Sequence, residues 1–242
     1  MQPPAYFEQV HKRTIDTWDV LDERPDLAGP WHQLFNQVQS PKHVVSELLQ
    51  NADDAGATEA SISIQNGEFI FEHNGEDFTE EHFNSLCNFG FSNKRSLHTI
   101  GFRGIGFKSS FSLGDEVKLQ TPSLSVAFHR SRFTEPSWIE SNERCTKTSV
   151  RVVIKDDYRR VELEKNLVEW LRSPVSLLFF HNVRALAIDG EIVRWVSCGS
   201  GPIPGSAWMA LDSNLEKKYL VIRSSEEYFP AEALEEIRQE RM

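Results

Sequence analysis

Cysteine is scarce in this chain. Cys87, Cys145 and Cys198 are odd in number, widely spaced and form no CxxC pair. That argues against a disulfide framework or a cysteine zinc site and for a reducing compartment. Basic charge is also short, with 26 Lys and Arg against 36 Asp and Glu and a net charge of −10. An autonomous nucleic-acid binder needs a basic face, so nucleic acid is not an expected partner of this chain alone. No apolar run approaches the length of a membrane span. The opening Met1-Gln2-Pro3-Pro4-Ala5-Tyr6-Phe7-Glu8 has neither the basic nor the apolar region of a signal peptide. The expectation is a cytoplasmic protein with no membrane contact. Internal repeats and low-complexity tracts are absent too.

What is present is enough for a sizeable core: 242 residues, 39% hydrophobic, with 16 Phe and 6 Trp. The length suits one large domain, or one domain with a small appendage. The most informative stretch is Glu47-Leu48-Leu49-Gln50-Asn51-Ala52-Asp53-Asp54-Ala55-Gly56. Ser40 suits an N-cap, Pro41 the first helical position and Gly56 the stop, which predicts a helix of about 15 residues. On it Glu47, Asn51 and Asp54 fall at i, i+4 and i+7, a polar stripe on one face. Val44, Leu48, Ala52 and Ala55 flank it on one side, and Lys42, Ser46, Gln50 and Asp53 on the other. The trio therefore stands at the edge of the buried face, where polar groups need partners.

Elsewhere the reading begins with a helix over about Tyr6 to Val20. A break follows at Pro25, Gly29 and Pro30, then a short helix around Trp31 to Val38. Ala60–Ile64 alternates like a half-buried strand, Asn66-Gly67 is a hairpin turn, and Phe69-Ile70-Phe71 returns. That return strand runs into His73-Asn74-Gly75, and Thr79 caps a helix over Glu80 to about Asn88. Residues 89–106 have no clear periodicity and read as a loop ending in Gly101-Phe102-Arg103-Gly104-Ile105-Gly106-Phe107-Lys108, which opens a short helix. Strands are expected at Glu116–Gln120, Ser123–His129 and Thr148–Ile154, and a charged helix at Arg159 to Arg172. Val183–Ile188, Glu191–Val196, Ala207–Leu211 and Lys218–Arg223 complete the strands, and Pro230 to Met242 reads as a terminal helix. This order describes an α+β two-layer sandwich, with helices on one face of a mixed, largely antiparallel sheet.

Glycines at 101, 104 and 106 before a helix suit a phosphate cradle, because their backbone N–H groups can approach an anion. A dinucleotide fold is disfavoured, since no strand immediately precedes the glycines and no βαβ crossover follows. A P-loop is disfavoured by the missing upstream glycine spacing around Gly106-Phe107-Lys108-Ser109.

An acidic/Asn helix, a His-Asn-Gly turn after a strand and a glycine loop, in that order, resemble the three nucleotide-binding boxes of the GHKL superfamily. That superfamily holds gyrase-type topoisomerases, ninety-kilodalton heat-shock chaperones, histidine kinases and mismatch-repair MutL proteins. Glu47 to Ala55 resembles its N-box, and Ile100 to Ser109 the glycine box of its chaperone branch. His73-Asn74-Gly75 followed by Phe78-Thr79 is most similar to sacsin-type ATP-binding domains. The resemblance covers roughly residues 30 to 155. It implies an N-terminal helical extension over 1–30, a nucleotide-binding domain over 31–198, and C-terminal strands and a helix over 199–242 that complete or leave the domain.

By this resemblance the cofactors are ATP and Mg²⁺. Asn51 would hold the metal with its amide oxygen, Glu47 would orient the attacking water as general base, and Asp54 would face the adenine side. Gly101, Gly104, Ile105, Gly106 and Phe107 would offer backbone donors to the phosphates and pack the sugar edge. The family usually has Asp-x-Gly at the adenine box, its carboxylate accepting from the adenine amino group. Here His73-Asn74-Gly75 stands there, and neutral His73 or the Asn74 amide oxygen would be the acceptor. Thr148 resembles an adenine-touching threonine of the chaperone relatives. Lys94, Arg95 and Arg103 lie in the implied lid, with Lys94 taken as a binding residue, and Lys108 is a further phosphate candidate.

The implied activity is weak ATP hydrolysis in a conformational switch of a chaperone-like or defence-type protein. Lid closure would promote homodimerisation or docking to further domains or subunits. The alternative is a nucleotide-binding regulatory module without turnover, since no residue clearly supplies the catalytic lysine that many relatives donate from a following domain. A histidine kinase domain is disfavoured by the lack of an upstream dimerisation helix with a phospho-acceptor histidine. Direct DNA handling would need basic charge that is not here.

Overall fold

The N-terminal helix α1 (Ala5–Glu23) buries Phe7, Val10, Thr14, Trp18 and Leu21, three and four residues apart. In the computed structural model, which describes residues 1–37, 40–88, 106–140 and 145–223, this stripe lies on β5 (Arg132–Trp138). The Trp18 indole N–H donates to Thr134 Oγ1 at 2.9 Å, and its ring meets Phe133 edge-on at 5.1 Å. Arg132 ties the outer side of the contact to Asp19, Asp22 and Glu135. The expected terminal helix at 230–242 falls outside the described residues.

Two expectations need correction here. Pro25, Gly29 and Pro30 do not break the chain: α2 runs unbroken over Pro25–Gln37 with Pro30 inside it. Pro25 suits a first helical position, but an interior proline costs about 3 kcal/mol. Aromatic packing offsets that cost: Trp31 meets Trp18 edge-on at 5.8 Å, and Phe35 stacks on Phe133 at 4.2 Å. Strand β5 was not expected because Pro136 interrupts its pattern. It is the edge strand, where a missing backbone donor is tolerated.

Residues 1–193 form one compact unit. Its sheet runs β7-β1-β2-β6-β3-β4-β5. The strands are β1 (Glu59–Gln65), β2 (Glu68–His73), β3 (Glu116–Gln120), β4 (Ser125–His129), β6 (Thr148–Val153) and β7 (Ala185–Ile188). The β1–β7 pair is parallel and the other described pairings are antiparallel. Register lines up one continuous apolar face: Ile188, Ile62, Phe71, Val150, Leu119 and Val126 sit side by side, all buried. A one-residue slip in any pair would turn that row to solvent. On the other face stand Glu68, Glu72, Lys118 and Arg151, with Ser125, Ala127 and Ser149 buried among them. This is the two-layer α+β arrangement read from the sequence. Helix α4 (Glu80–Leu86) starts as expected, with Thr79 Oγ1 accepting from the His82 N–H, and α5 (Asp157–Arg172) starts on Asp156.

From Arg194 on, a second unit contains most of β8 (Glu191–Ser200) with β9 (Ser206–Leu211) and β10 (Asn214–Ile222), paired antiparallel. Trp195 and Tyr219 meet edge-on at 5.2 Å over it. No helix among the described residues is long and apolar enough to cross a membrane.

Helix α3 (Pro41–Asp54) is the expected central helix, and Gly56 stops it at φ +71°, where a side chain would be strained. Its last turn overturns one expectation. Asp53 does not share the outer stripe with Lys42 and Gln50; it is 1% exposed. Its Oδ2 accepts the N–H of His181 at 2.8 Å, and Oδ1 accepts those of Asn182 and Val183 at 2.6 and 2.9 Å. The Asn182 side-chain amide donates to the Asp53 carbonyl at 2.9 Å. The connection into β7 thus covers the end of α3, a contact the helix's own periodicity does not contain.

Two residues along β2 and β6 from the Phe71–Val150 pair, on the same face, His73 stands opposite Thr148. Burial holds the His73 pKa down to about 4 from its ordinary 6.5.

Two outcomes follow from these contacts. Asp53→Ala is expected to lower unfolding free energy by about 3–4 kcal/mol, because three backbone N–H groups lose their acceptor, and Asp53→Asn by about half as much, because one amide oxygen remains to accept. Urea unfolding checks both, and a loss below about 1 kcal/mol for the alanine variant would contradict the latch. The second concerns acid. Unfolded His73 takes a proton near pH 6.5 while the folded ring resists to about 4, so the unfolded state binds more protons in that window. Stability therefore falls as pH drops through it, by about 2 kcal/mol between about pH 7.5 and pH 5. His73→Gln should remove that component from unfolding curves at the two pH values, and an unchanged slope would contradict it.

Candidate functional site

Helix α3 presents Glu47, Asn51 and Asp54, each half-buried, along one edge. Against that edge lies Gly106, the first residue of a 3₁₀ segment, Gly106–Ser112. A methyl group on Gly106 would overlap the Glu47 carboxylate oxygen Oε2 and lie 3.8 Å from Asn51 Nδ2. Glycine leaves that space open, whereas any side chain there would have to displace the Glu47 carboxylate. The next residue, Phe107, anchors the segment to the core, its ring edge-on to Phe128 at 5.7 Å. Two stretches far apart in sequence are thus brought into contact at Glu47 and Asn51. A carboxylate, an amide and a bare backbone on one helix edge suit a hard cation and an anionic oxygen. Gly101, Gly104, Ile105 and Lys94, also expected in the site, lie outside the described residues.

The His73-Asn74-Gly75 turn is held to the same helix. The N–H of Glu76 donates to the Ala55 carbonyl at 2.8 Å, and Gly75 packs so closely that a Cβ would sit 2.8 Å from that oxygen. Asn74 points its amide at the chain entering β1: Oδ1 accepts from the N–H of Thr58 at 2.9 Å and of Glu59 at 3.1 Å, and Nδ2 donates to Thr58 Oγ1 at 2.9 Å. The oxygen read as a possible ligand acceptor already holds two backbone donors. An asparagine directly after a strand and before glycine is the sequence signal for such a backbone-binding turn. His73 Nδ1 accepts from the Gly75 N–H at 3.1 Å. Burial keeps the ring neutral, so its proton resides on Nε2. Opposite it, Thr148 is buried, and among the described residues its Oγ1 has no hydrogen-bond partner.

Lys108 turns away from solvent entirely, at 1% exposure. Its ammonium donates to the carbonyl of Leu86 and to that of Asn88, the latter at 3.4 Å. These are carbonyls at the C-terminal end of α4, where a cation suits the helix dipole. Desolvation draws the Lys108 pKa down to about 8, and burial pushes the neighbouring Cys87 thiol up to about 12. Asp53 is the residue that sequence reasoning missed at this end of α3. The signal was the consecutive pair Asp53-Asp54, which two successive helical positions cannot both turn outward along one stripe.

The sequence also matches known proteins. Residues 39–161 match the family model described as histidine kinase-, DNA gyrase B- and HSP90-like ATPase. The DNA mismatch repair protein MutL of Chloroherpeton thalassium is 27% identical over 193 residues, 73% of this chain and 29% of MutL. Sacsin of Homo sapiens is 26% identical over 145 residues, covering 50% of this chain and 3% of sacsin. Protein NO VEIN of Arabidopsis thaliana is 31% identical over 102 residues, 40% of this chain and 4% of that protein. The chain thus spans less than a third of each of these relatives. The matched residues contain α3, the His73-Asn74-Gly75 turn and the Gly106 segment together, and the chain belongs to the histidine kinase-, DNA gyrase B- and HSP90-like ATPase family.

Proposed function

We propose that this chain is a Mg-ATP-binding module that works as a conformational switch, with slow ATP hydrolysis. The observation that carries the reading is the approach of the Gly106 backbone to Glu47 and Asn51 on one edge of α3. An anionic phosphate needs N–H donors with no side chain in the way, and Gly106 is where a side chain would collide with the acidic helix. Asn51 would hold Mg²⁺ through its amide oxygen, and the bound metal would neutralise charge on the phosphates. Glu47, one turn away, orients the attacking water and receives its proton. Asp54 and Thr148 face the base, and Gly101, Gly104, Ile105, Phe107 and Lys94 complete the phosphate and sugar contacts. Nucleotide-dependent closure then drives dimerisation or docking to further domains.

Binding without turnover is the second reading. It is favoured by Lys108, the cation inside the glycine segment, whose ammonium is held by the Leu86 and Asn88 carbonyls.

Titration calorimetry with Mg-ATP is expected to give a dissociation constant below about 1 mM, and no heat at millimolar nucleotide would contradict the proposal. Asn51→Ala should abolish the metal-dependent part of that affinity. Glu47→Ala should keep binding but lose hydrolysis by about 100-fold or more in a phosphate-release assay. Normal hydrolysis by the Glu47 variant would remove the general-base role, and no hydrolysis by the unmodified chain would select the second reading.

A further inference from the structure

The inner end of strands β2 and β6 carries two polar side chains on the otherwise apolar face, His73 and Thr148, directly opposed in register. Directly opposed residues of an antiparallel pair point to the same side and have Cβ atoms about 5 Å apart. The Gly75 N–H occupies Nδ1 of His73. The ring is therefore locked as a donor through Nε2–H and has no second acceptor to offer. Asn74 cannot replace it, because its Oδ1 is held by the N–H groups of Thr58 and Glu59. Thr148 is 3% exposed, and among the described residues its buried hydroxyl has no partner. An unsatisfied buried hydroxyl costs free energy unless something fills its hydrogen bond.

We propose that His73 and Thr148 read the nucleotide base as a fixed donor beside an adaptable hydroxyl, so that the site accepts 6-oxopurine as well as 6-aminopurine nucleotides. The inference rests on the nucleotide-binding reading above. A carboxylate at position 73 would require a donor on the base, which the 6-amino group supplies and a 6-oxo group does not. A ring N–H requires an acceptor. Adenine offers its N1, and hypoxanthine offers its O6. The Thr148 hydroxyl both donates and accepts, so it pairs with whichever group stands beside that acceptor: the 6-amino group of adenine or the N1–H of hypoxanthine. With the base shifted by one ring position between the two cases, neither base leaves the His73 N–H or the Thr148 hydroxyl unpaired, and the usual source of strong discrimination is missing at this pair.

Competition calorimetry on the full chain with Mg-ATP and Mg-ITP tests this. The unmodified protein is expected to bind the two within about threefold of each other. His73→Asp restores an acceptor and is expected to favour ATP over ITP by about tenfold or more. The unmodified chain preferring ATP by more than about tenfold would overturn the proposal while leaving ATP binding intact. An unchanged ATP-to-ITP ratio in a folded His73→Asp variant would also overturn it. Binding of neither triphosphate would overturn the nucleotide reading and this inference together. The comparison on the unmodified protein decides the matter even if the variant does not fold.

Discussion

The end of helix α3 is fixed by one carboxylate. Asp53 is buried with three backbone N–H groups on its two oxygens and a fourth hydrogen bond onto its carbonyl, all from residues 181–183. A charge removed from water is costly unless it is fully paired, and this one is. Asp53 lies two residues after Asn51 and one before Asp54, so the latch sets the rotation and height of the functional edge. It also joins α3 to the connection that leads into β7, the parallel neighbour of β1. The strand order and the site therefore share one anchor.

From that anchor the rest of the site is a matter of three approaches to one helix. Gly106 comes against Glu47 and Asn51 in its middle. The turn after β2 comes against Ala55 at its end, through the Glu76 N–H. Beside the apolar row, His73 and Thr148 face each other on the same side of the sheet. Lys108 adds a fourth constraint by joining the 3₁₀ segment to the end of α4. Glycine is required where backbone meets side chain, and the charged groups are placed where backbone dipoles receive them.

Much of this was legible in the sequence, and the exceptions have physical causes. Helix α3 was readable because Pro41 and Gly56 punctuate it, and the β1–β2 hairpin because Asn66 and Gly67 both take the positive φ that such a turn needs. Helix α2 was misread because Pro30 is a strong local signal, and local signals do not contain Trp31 and Phe35 packing on α1 and β5. Strand β5 was hidden by Pro136, which is compatible with a strand only because that strand is an edge. Within the site, the order of the three motifs was visible in sequence, but contact between Gly106 and Glu47 was not. Asp53 was assigned to solvent because a helical wheel knows only its own helix. Asn74 was read as a ligand acceptor because its two backbone donors, Thr58 and Glu59, lie 16 and 15 residues away in sequence.

We propose that a bare backbone at position 106 opens a phosphate site against the acidic edge of α3. The most direct measurement is Mg-ATP affinity of Gly106→Ala with and without Glu47→Ala. Gly106→Ala is expected to weaken binding by about tenfold or more, and removing the Glu47 carboxylate from the same protein to recover most of the loss. A Gly106→Ala protein that binds Mg-ATP as tightly as the unmodified chain would contradict it.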